Sequence, residues 1–324
     1  MLAFLKKNWF VLGLLAVSGA TLLDGTETVA GIGKWCKAHR GADIVIVLIF
    51  LGSGLLLQKE EIRNGVGDVR GTVIAAAIIF AASPVIAWLL ALAPLDREVQ
   101  AGLFLVAVMP TTLSSGVVMT GAAGGNIAHA LLVSLLTNGL AVFVTPFALA
   151  LLLNVGGDST APLIDKGALA AQIGFLVLVP LFLGLALRPG LRRFEGAFRR
   201  AVPVFNSCLV LAVIWMALSE ARPTVLGGGH QAMLVVALSF VFHAFLLAAA
   251  FGASALFGLG PGRREGIVFM GGQKTLPLSI LLQIKLFPDY GMTLVFCVVH
   301  HFVHLIMDGY LVGWFRAKRP AGRA

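Results

Sequence analysis

The sequence predicts an all-α membrane protein with ten transmembrane helices in two inverted sets of five, its fourth and ninth helices broken. Three observations carry this. The chain of 324 residues is 59% hydrophobic and only 12% charged, where globular proteins carry roughly 25% charge, and its mean hydropathy is +0.96. Apolar runs of about 20 residues, enough to cross a hydrocarbon core of about 30 Å, recur along its whole length. Two of these runs, at corresponding places in the two halves, are interrupted by Pro and small polar residues. So little charge cannot coat a water-soluble protein of this size. A cytosolic enzyme, a secreted disulfide scaffold and a disordered hub are excluded.

The runs fall at 9–30, 42–58, 71–93, 99–120, 126–153, 167–188, 202–220, 229–257, 266–287 and 291–315. Gly, Pro and nearly all the charges lie between them, as breakers should. The opening MLAFLKKNWF imitates a signal peptide, but no small-residue cleavage site closes it, so it reads as the start of a first transmembrane helix. Cys36, Cys208 and Cys297 stand far apart, which gives neither a disulfide framework nor a zinc site. Trp9, Trp35, Trp88, Trp215 and Trp314 sit near span ends and read as interface anchors.

Orientation follows from Lys and Arg in the connecting segments. With a cytoplasmic N-terminus, the inner segments hold 16 of them: Lys6, Lys7, Lys59, Arg63, Arg70, Arg188, Arg192, Arg193, Arg199, Arg200, Arg263, Arg264, Arg316, Lys318, Arg319 and Arg323. The outer segments hold 6: Lys34, Lys37, Arg40, Arg97, Lys166 and Arg222. Both termini are therefore expected in the cytoplasm, with the bacterial inner (plasma) membrane as the expected location. The excess of 24 Lys+Arg over 15 Asp+Glu is a topology signal and a basic face for lipid headgroups, not a nucleic-acid footprint.

Ten spans divide into 1–154 and 155–324, five helices each. Five is odd, so the halves would enter the membrane with opposite topology, the inverted plan of secondary transporters. The second and third spans are joined by the charged KEEIRNGVGDVR, the sixth and seventh by RPGLRRFEGAFRR. The fourth span contains MPTTLSSG and the ninth GGQKTLPLS, each with Thr-Leu beside a Pro. Pro110 and Pro277 lack an N–H and should break their helices, with Gly271 and Gly272 loosening the ninth further. In hydrocarbon, freed backbone groups are tolerated only against protein or a watery cavity, so paired breaks point to a transport site. Thr111, Thr112, Ser114, Ser115, Gln273, Lys274 and Thr275 stand at these breaks and Ser134 in the fifth span. They are the candidate substrate- and ion-binding residues.

MPTTLSSGVVMTGAAGGNIAHALL, GGQKTLPLSI and IFLGSGLLL resemble the bile acid:sodium symporter family, in its SBF-like branch, within the bile acid/arsenite/riboflavin transporter superfamily. The resemblance runs the length of the chain. It implies a core domain from spans 3–5 and 8–10, a panel domain from spans 1, 2, 6 and 7, broken helices 4 and 9 crossed near the midplane, and alternating access between the domains. It also implies two sodium sites behind the crossover. Of their ligand positions, Ser115, Ser134 and Gln273 keep an oxygen, whereas Ile79, Gly116, Ala130, Phe269 and Lys274 replace the family's polar or acidic residues. Two full sodium sites do not fit this set.

Lys274 is expected to stand in for one sodium charge, its ammonium facing backbone carbonyls, which opens coupling to a proton. Asp308 lies at similar depth, so a Lys274–Asp308 pair is expected as one arrangement. His300, His304 and Asp308 share a helical face, with His301 beside them. That face admits a proton relay, a transition-metal site or hydrogen bonding across the core. His129 and His243 read as lone packing residues, Thr137 and Asn138 as interhelical hydrogen bonds, and Asn126 as a helix cap.

The expected function is secondary active transport of a small organic anion, bile-acid-like or another carboxylate or sulfonate. The coupling ion would be Na+ through a remodelled site or H+ through Lys274. A regulatory membrane protein of cation homeostasis on the same fold is the alternative. An enzyme is not expected, since no HExxH, nucleophile elbow or P-loop is present.

Overall fold

The computed structural model describes residues 2–57, 67–156 and 164–318. Among these the chain is helical with no strand. Of the orientation charges, Lys59, Arg63, Arg319 and Arg323 lie outside the described residues, as do the side chains of Lys6, Lys7, Arg192, Arg193 and Arg199.

Helix α1 (Leu2–Leu22) stops earlier than the sequence suggests. Asp24 closes the turn behind it, accepting from the Thr26 hydroxyl and the Ala30 N–H. The stretch expected as a loop forms α2 (Thr28–Ala38), bent 74° from α3 (Gly41–Leu56). Helix α4 (Val69–Leu90) begins at Asp68, whose carboxylate caps the Gly71 N–H, and widens into a π turn over Ile78–Ala82. Next come α5 (Arg97–Ala107), α6 (Ser115–Ala123) and α7 (Ile127–Val155). Asn126 caps α7 by accepting from the His129 N–H, as expected. They are followed by α8 (Lys166–Leu191), α9 (Glu195–Gly227), α10 (Gly229–Leu256), α11 (Arg264–Gly272), α12 (Leu276–Leu286) and α13 (Gly291–Ala317).

Seven helices are long and apolar enough to cross a membrane, or eight when α2 and α3 count as one bent span. The α11–α12 pair differs from the rest: 94% of its apolar window is buried, against 33–50% for the other six. It is the axis of the molecule, and the others wrap it with outward faces such as Phe143, Phe147, Phe240 and Phe245.

Two groupings surround this axis. Helices α1, α2, α3, α8 and α9 pack together, and α3 meets α8 where Gly54 and Gly184 let the backbones touch. Helices α4, α6, α7, α10, α11 and α13 form the other, with a core of Ile74, Ile78, Ile79, Val133, Phe269 and Phe315. Helix α13 lies along α5, α6, α10 and α9 and so touches both.

Candidate functional site: two helix breaks that meet

Helix α5 ends at Ala107 and α6 begins at Ser115. Between them the carbonyls lose their helical donors, and an unmatched buried polar group costs about 1–3 kcal/mol. Each carbonyl from Ala107 through Thr112 has a replacement. Ser83 donates to Ala107 at 2.7 Å, Thr145 to Val108 at 2.9 Å, Asn138 to Thr111 at 3.0 Å and Ser134 to Thr112 at 2.9 Å. The Thr275 N–H donates to Pro110 at 3.0 Å. Ser134, Asn138 and Thr145 lie on one stripe of α7, spaced by four and seven residues, so one helix face lines the unwound strand.

Lys274 completes the set. Its ammonium donates to the carbonyls of Ala107 (3.0 Å), Met109 (3.0 Å) and Ile79 (3.1 Å), and the residue is 2% exposed. The third acceptor has a local cause. Across the π turn the Ser83 N–H bonds back to Ile78, so the next donor in register is Pro84, which has none. The Ile79 carbonyl is thus left open, and the ammonium fills it. All three donors of the lysine are used on backbone oxygens.

Gln273, at 0% exposure, ties the breaks together. Its Oε1 accepts from Thr112 (2.8 Å) and Ser115 (2.7 Å), and its Nε2 donates to Asp308 Oδ2 (2.7 Å). Asp308 Oδ1 accepts from His243 Nε2 at 3.0 Å, both groups fully buried. Thr112 Oγ1 also accepts from the Ser115 hydroxyl and the Gly116 N–H.

Several sequence expectations change here. The helix does not loosen at Gly271 and Gly272: both stay in α11, and the break falls at Gln273–Thr275. The glycines serve close packing instead, since a Cβ at Gly271 would meet Ile78 at 3.1 Å and one at Gly272 would meet His243 at 3.3 Å. Lys274 and Asp308 form no ion pair; the lysine turns to carbonyls and the carboxylate to Gln273 and His243. Asp308 therefore pairs across to α10, not with the histidines of its own face. His243 is no lone packing residue, and no periodicity could have joined it to a partner 65 residues away. His300 and His304 sit with ring centroids 5.8 Å from His243, and their ring nitrogens have no hydrogen-bond partner. His301 packs edge-on against His304 at 4.6 Å. Among the described residues no three His, Cys, Asp or Glu are arranged to hold a metal. Thr137 bonds only within its own helix, to Ser134, while Asn138 reaches across as expected. Ser114 is exposed, and the buried Thr111 hydroxyl has no partner. Lys285 lies outside this cluster, 3.5 Å from Asp43 and partly exposed. Trp215 donates to the Val29 carbonyl, so it joins α9 to α2.

The positions where the resemblance implied sodium ligands are filled by protein. Ile79, Ala130 and Phe269 are at 0% exposure, and Phe269 packs on Phe315 with centroids 5.8 Å apart. At Gly116 a Cβ would already meet Met270 at 2.9 Å. Beyond one end of this core, outside the apolar helices, Arg263 chelates Asp68 through two hydrogen bonds. The guanidinium holds the Asp68 carboxyl below the usual carboxylate range and is itself raised in return.

Helices broken inside a bundle, with their free backbone groups matched around a buried charge, are the architecture of a membrane transporter. The chain belongs to the SBF-like CPA transporter family, whose model matches residues 8–317. This is a family of transporters, not of enzymes. The chain is 29% identical to Sodium/bile acid cotransporter 7-A of Xenopus laevis, over 99% of this chain and 96% of that protein. It is 28% identical to the probable sodium/metabolite cotransporter BASS4, chloroplastic, of Oryza sativa subsp. japonica, over 98% and 78%. It is 27% identical to Sodium/bile acid cotransporter 7 of Mus musculus, over 85% and 82%.

Proposed function

We propose that this protein is a secondary active transporter of a small organic anion, working by alternating access with a built-in cation at its centre. The observation that carries this reading is Lys274, whose ammonium sits among three carbonyls where the two breaks meet. Backbone carbonyls at 3.0–3.1 Å are the surroundings a bound alkali cation would take, and the protonated lysine supplies that charge. A fixed positive charge beside broken-helix amides favours a carboxylate or sulfonate. The relatives are named for sodium and bile acid or metabolite, which supports an organic solute and an alkali coupling ion. The remaining oxygens of Thr112, Ser115, Ser134 and Gln273 would form the remodelled sodium site, with Thr111, Ser114 and Thr275 at its edge.

On this reading α1 and the broken α5–α6 pair also cross the membrane, which gives ten spans in two inverted fives with both termini cytoplasmic. The α1–α3, α8 and α9 grouping would be the panel and the α4–α7 and α10–α13 grouping the moving core. The bacterial inner membrane is the fitting location for a chain with these basic inner segments.

The test is uptake of radiolabelled taurocholate and of a mixed pool of small carboxylates by purified protein in liposomes, with sodium and proton gradients imposed separately. Uptake driven by one gradient supports the reading. No uptake under either gradient overturns it in favour of a regulatory membrane protein on the same fold. A proton-driven wild type whose Lys274→Ala variant keeps the same pH dependence would remove Lys274 as the proton carrier.

A further inference from the structure

The Lys274 charge is fully matched by carbonyls, but the carboxylate in the same core is matched quite differently. Asp308 holds two donors, one on each oxygen: the ring N–H of His243 and the amide N–H of Gln273. The Nδ1 of His243 is buried and has no partner. With its proton on Nε2 the ring meets Oδ1 as a neutral donor, and a carboxyl whose two oxygens both accept is in its carboxylate form. On the far side of Gln273, its Oε1 accepts the Thr112 hydrogen and shares the single Ser115 hydrogen with Thr112 Oγ1. One side-chain amide thus connects a buried titratable group to the only two hydroxyls that bridge the breaks among the described hydrogen bonds.

We propose that Asp308, held by His243, is a proton-binding site whose charge state is read out by rotation of the Gln273 amide. A proton taken from water adds to Oδ2 and turns that oxygen from acceptor to donor. It then faces the N–H of Gln273, donor against donor. Rotating the amide about its last torsion brings Oε1 to Asp308 and the NH2 group to Thr112 and Ser115. Those hydroxyls become acceptors from the amide, and their hydrogens are released into the crossover. With Asp308 ionised, the crossover presents hydroxyl lone pairs, which suit a cation. With Asp308 protonated it presents hydroxyl hydrogens, and a negative charge is gone from the core, which suits an anion. Proton and anionic solute therefore bind together; this last step rests on the anion-transport reading.

The groups around the pair permit such a switch. From α13, His300 and His304 face His243. From the α11–α12 break comes Lys274, turned toward carbonyls. Helix α11 itself offers Gly272, α4 offers apolar Ile78 and Ile79 and the hydroxyl of Ser83, and α5 and α9 bring no charged side chain to it among the described contacts. The buried carboxylate of α11, Glu265, stands at the start of that helix, where it accepts from the Gly262 N–H.

The experiment is an infrared pH titration of the purified full-length protein in detergent, without ligand. A carboxylic-acid C=O band should grow as pH falls, together with a change in a side-chain amide band. Both should vanish in Asp308→Asn, and Gln273→Met should keep the first and lose the second. An acid band that survives in Asp308→Asn, or one that grows with no amide change, overturns the proposal. If Asp308→Asn does not fold, His243→Gln carries the test, because it keeps a donor on Oδ1 without a titratable ring. A displaced midpoint supports the site, and an unmoved one overturns it. The titration contains no solute, so its failure removes the switch and leaves the transport reading standing. Loss of uptake under both gradients does the reverse.

Discussion

The two helix breaks are opposites. The one between α5 and α6 runs from Val108 to Ser114 and mainly exposes acceptors, the six consecutive carbonyls from Ala107 to Thr112, which need donors. The one between α11 and α12 spans Gln273–Thr275 and supplies two donor groups, the ammonium of Lys274 and the N–H of Thr275, beside one acceptor, the Gln273 amide oxygen. Each break alone would be a cluster of unmatched groups in an apolar bundle. They meet through Lys274 to Ala107 and Met109 and through Thr275 to Pro110. Side chains of α4 and α7 match Val108, Thr111 and Thr112 and share Ala107. Broken membrane helices therefore need not be symmetric to be matched; the shorter break and the neighbouring helices together supply the donors.

The sharpest way to break this comparison is Lys274→Met, which removes three donors at similar volume. With each orphaned carbonyl costing about 1–3 kcal/mol, its thermal midpoint in detergent should fall further than that of any other single change here. A Lys274→Ala protein should be stabilised by added sodium or ammonium more than wild type is, because a free cation can reoccupy the carbonyls. Equal stability of Lys274→Met and wild type would refute the donor–acceptor account.

Gln273→Leu comes second. It strips a partner from Thr112, Ser115 and Asp308 at once and should cost about 2–4 kcal/mol. Asn138→Ala, which removes one donor from one carbonyl of the longer break, should cost about 0.5–2 kcal/mol. Denaturant unfolding of the two variants side by side would reveal whether the contributions rank this way.

The smallest effect should come from the Asp68–Arg263 pair, which lies outside the crossover altogether. Arg263 is 44% exposed, so Asp68→Asn should cost about 1 kcal/mol or less at neutral pH. Asp68 titrates below its ordinary value when folded. Its contribution is therefore complete above the ordinary carboxylate range and fades as pH falls through the folded value. Midpoints of Asp68→Asn and wild type should converge in acid; a gap that widens there would contradict the pairing.

Much of this site was legible in the sequence. Pro110 and Pro277 announce both breaks because a missing N–H acts wherever the residue sits. Lys274 and Asp308 stand out because charge in an apolar run is scarce. Asn126 was readable as a cap because a cap acts within three residues. The misreadings share a different scale. His243 looked isolated, a Lys274–Asp308 pair stood as one arrangement of two charges at similar depth, and Thr137 looked like a bridge. Each of these turns on which helix lies opposite. The span count from apolar length is likewise only partly matched, because the α5–α6 pair is broken and α1 is short over its apolar part.

The sequence by itself determined that the chain lives in lipid, where its helices fail, and which few polar groups must be buried there. Composition and backbone chemistry act locally, so they can be read from the chain. Tertiary structure alone decided who satisfies whom. Ile79 lies 195 residues from the lysine that fills its carbonyl, and Thr112 lies 161 from the glutamine that holds its hydroxyl. Helical periodicity relates residues three, four or seven apart and carries nothing about such distances. Only packing brings together the acceptors of one break and the donors of the other.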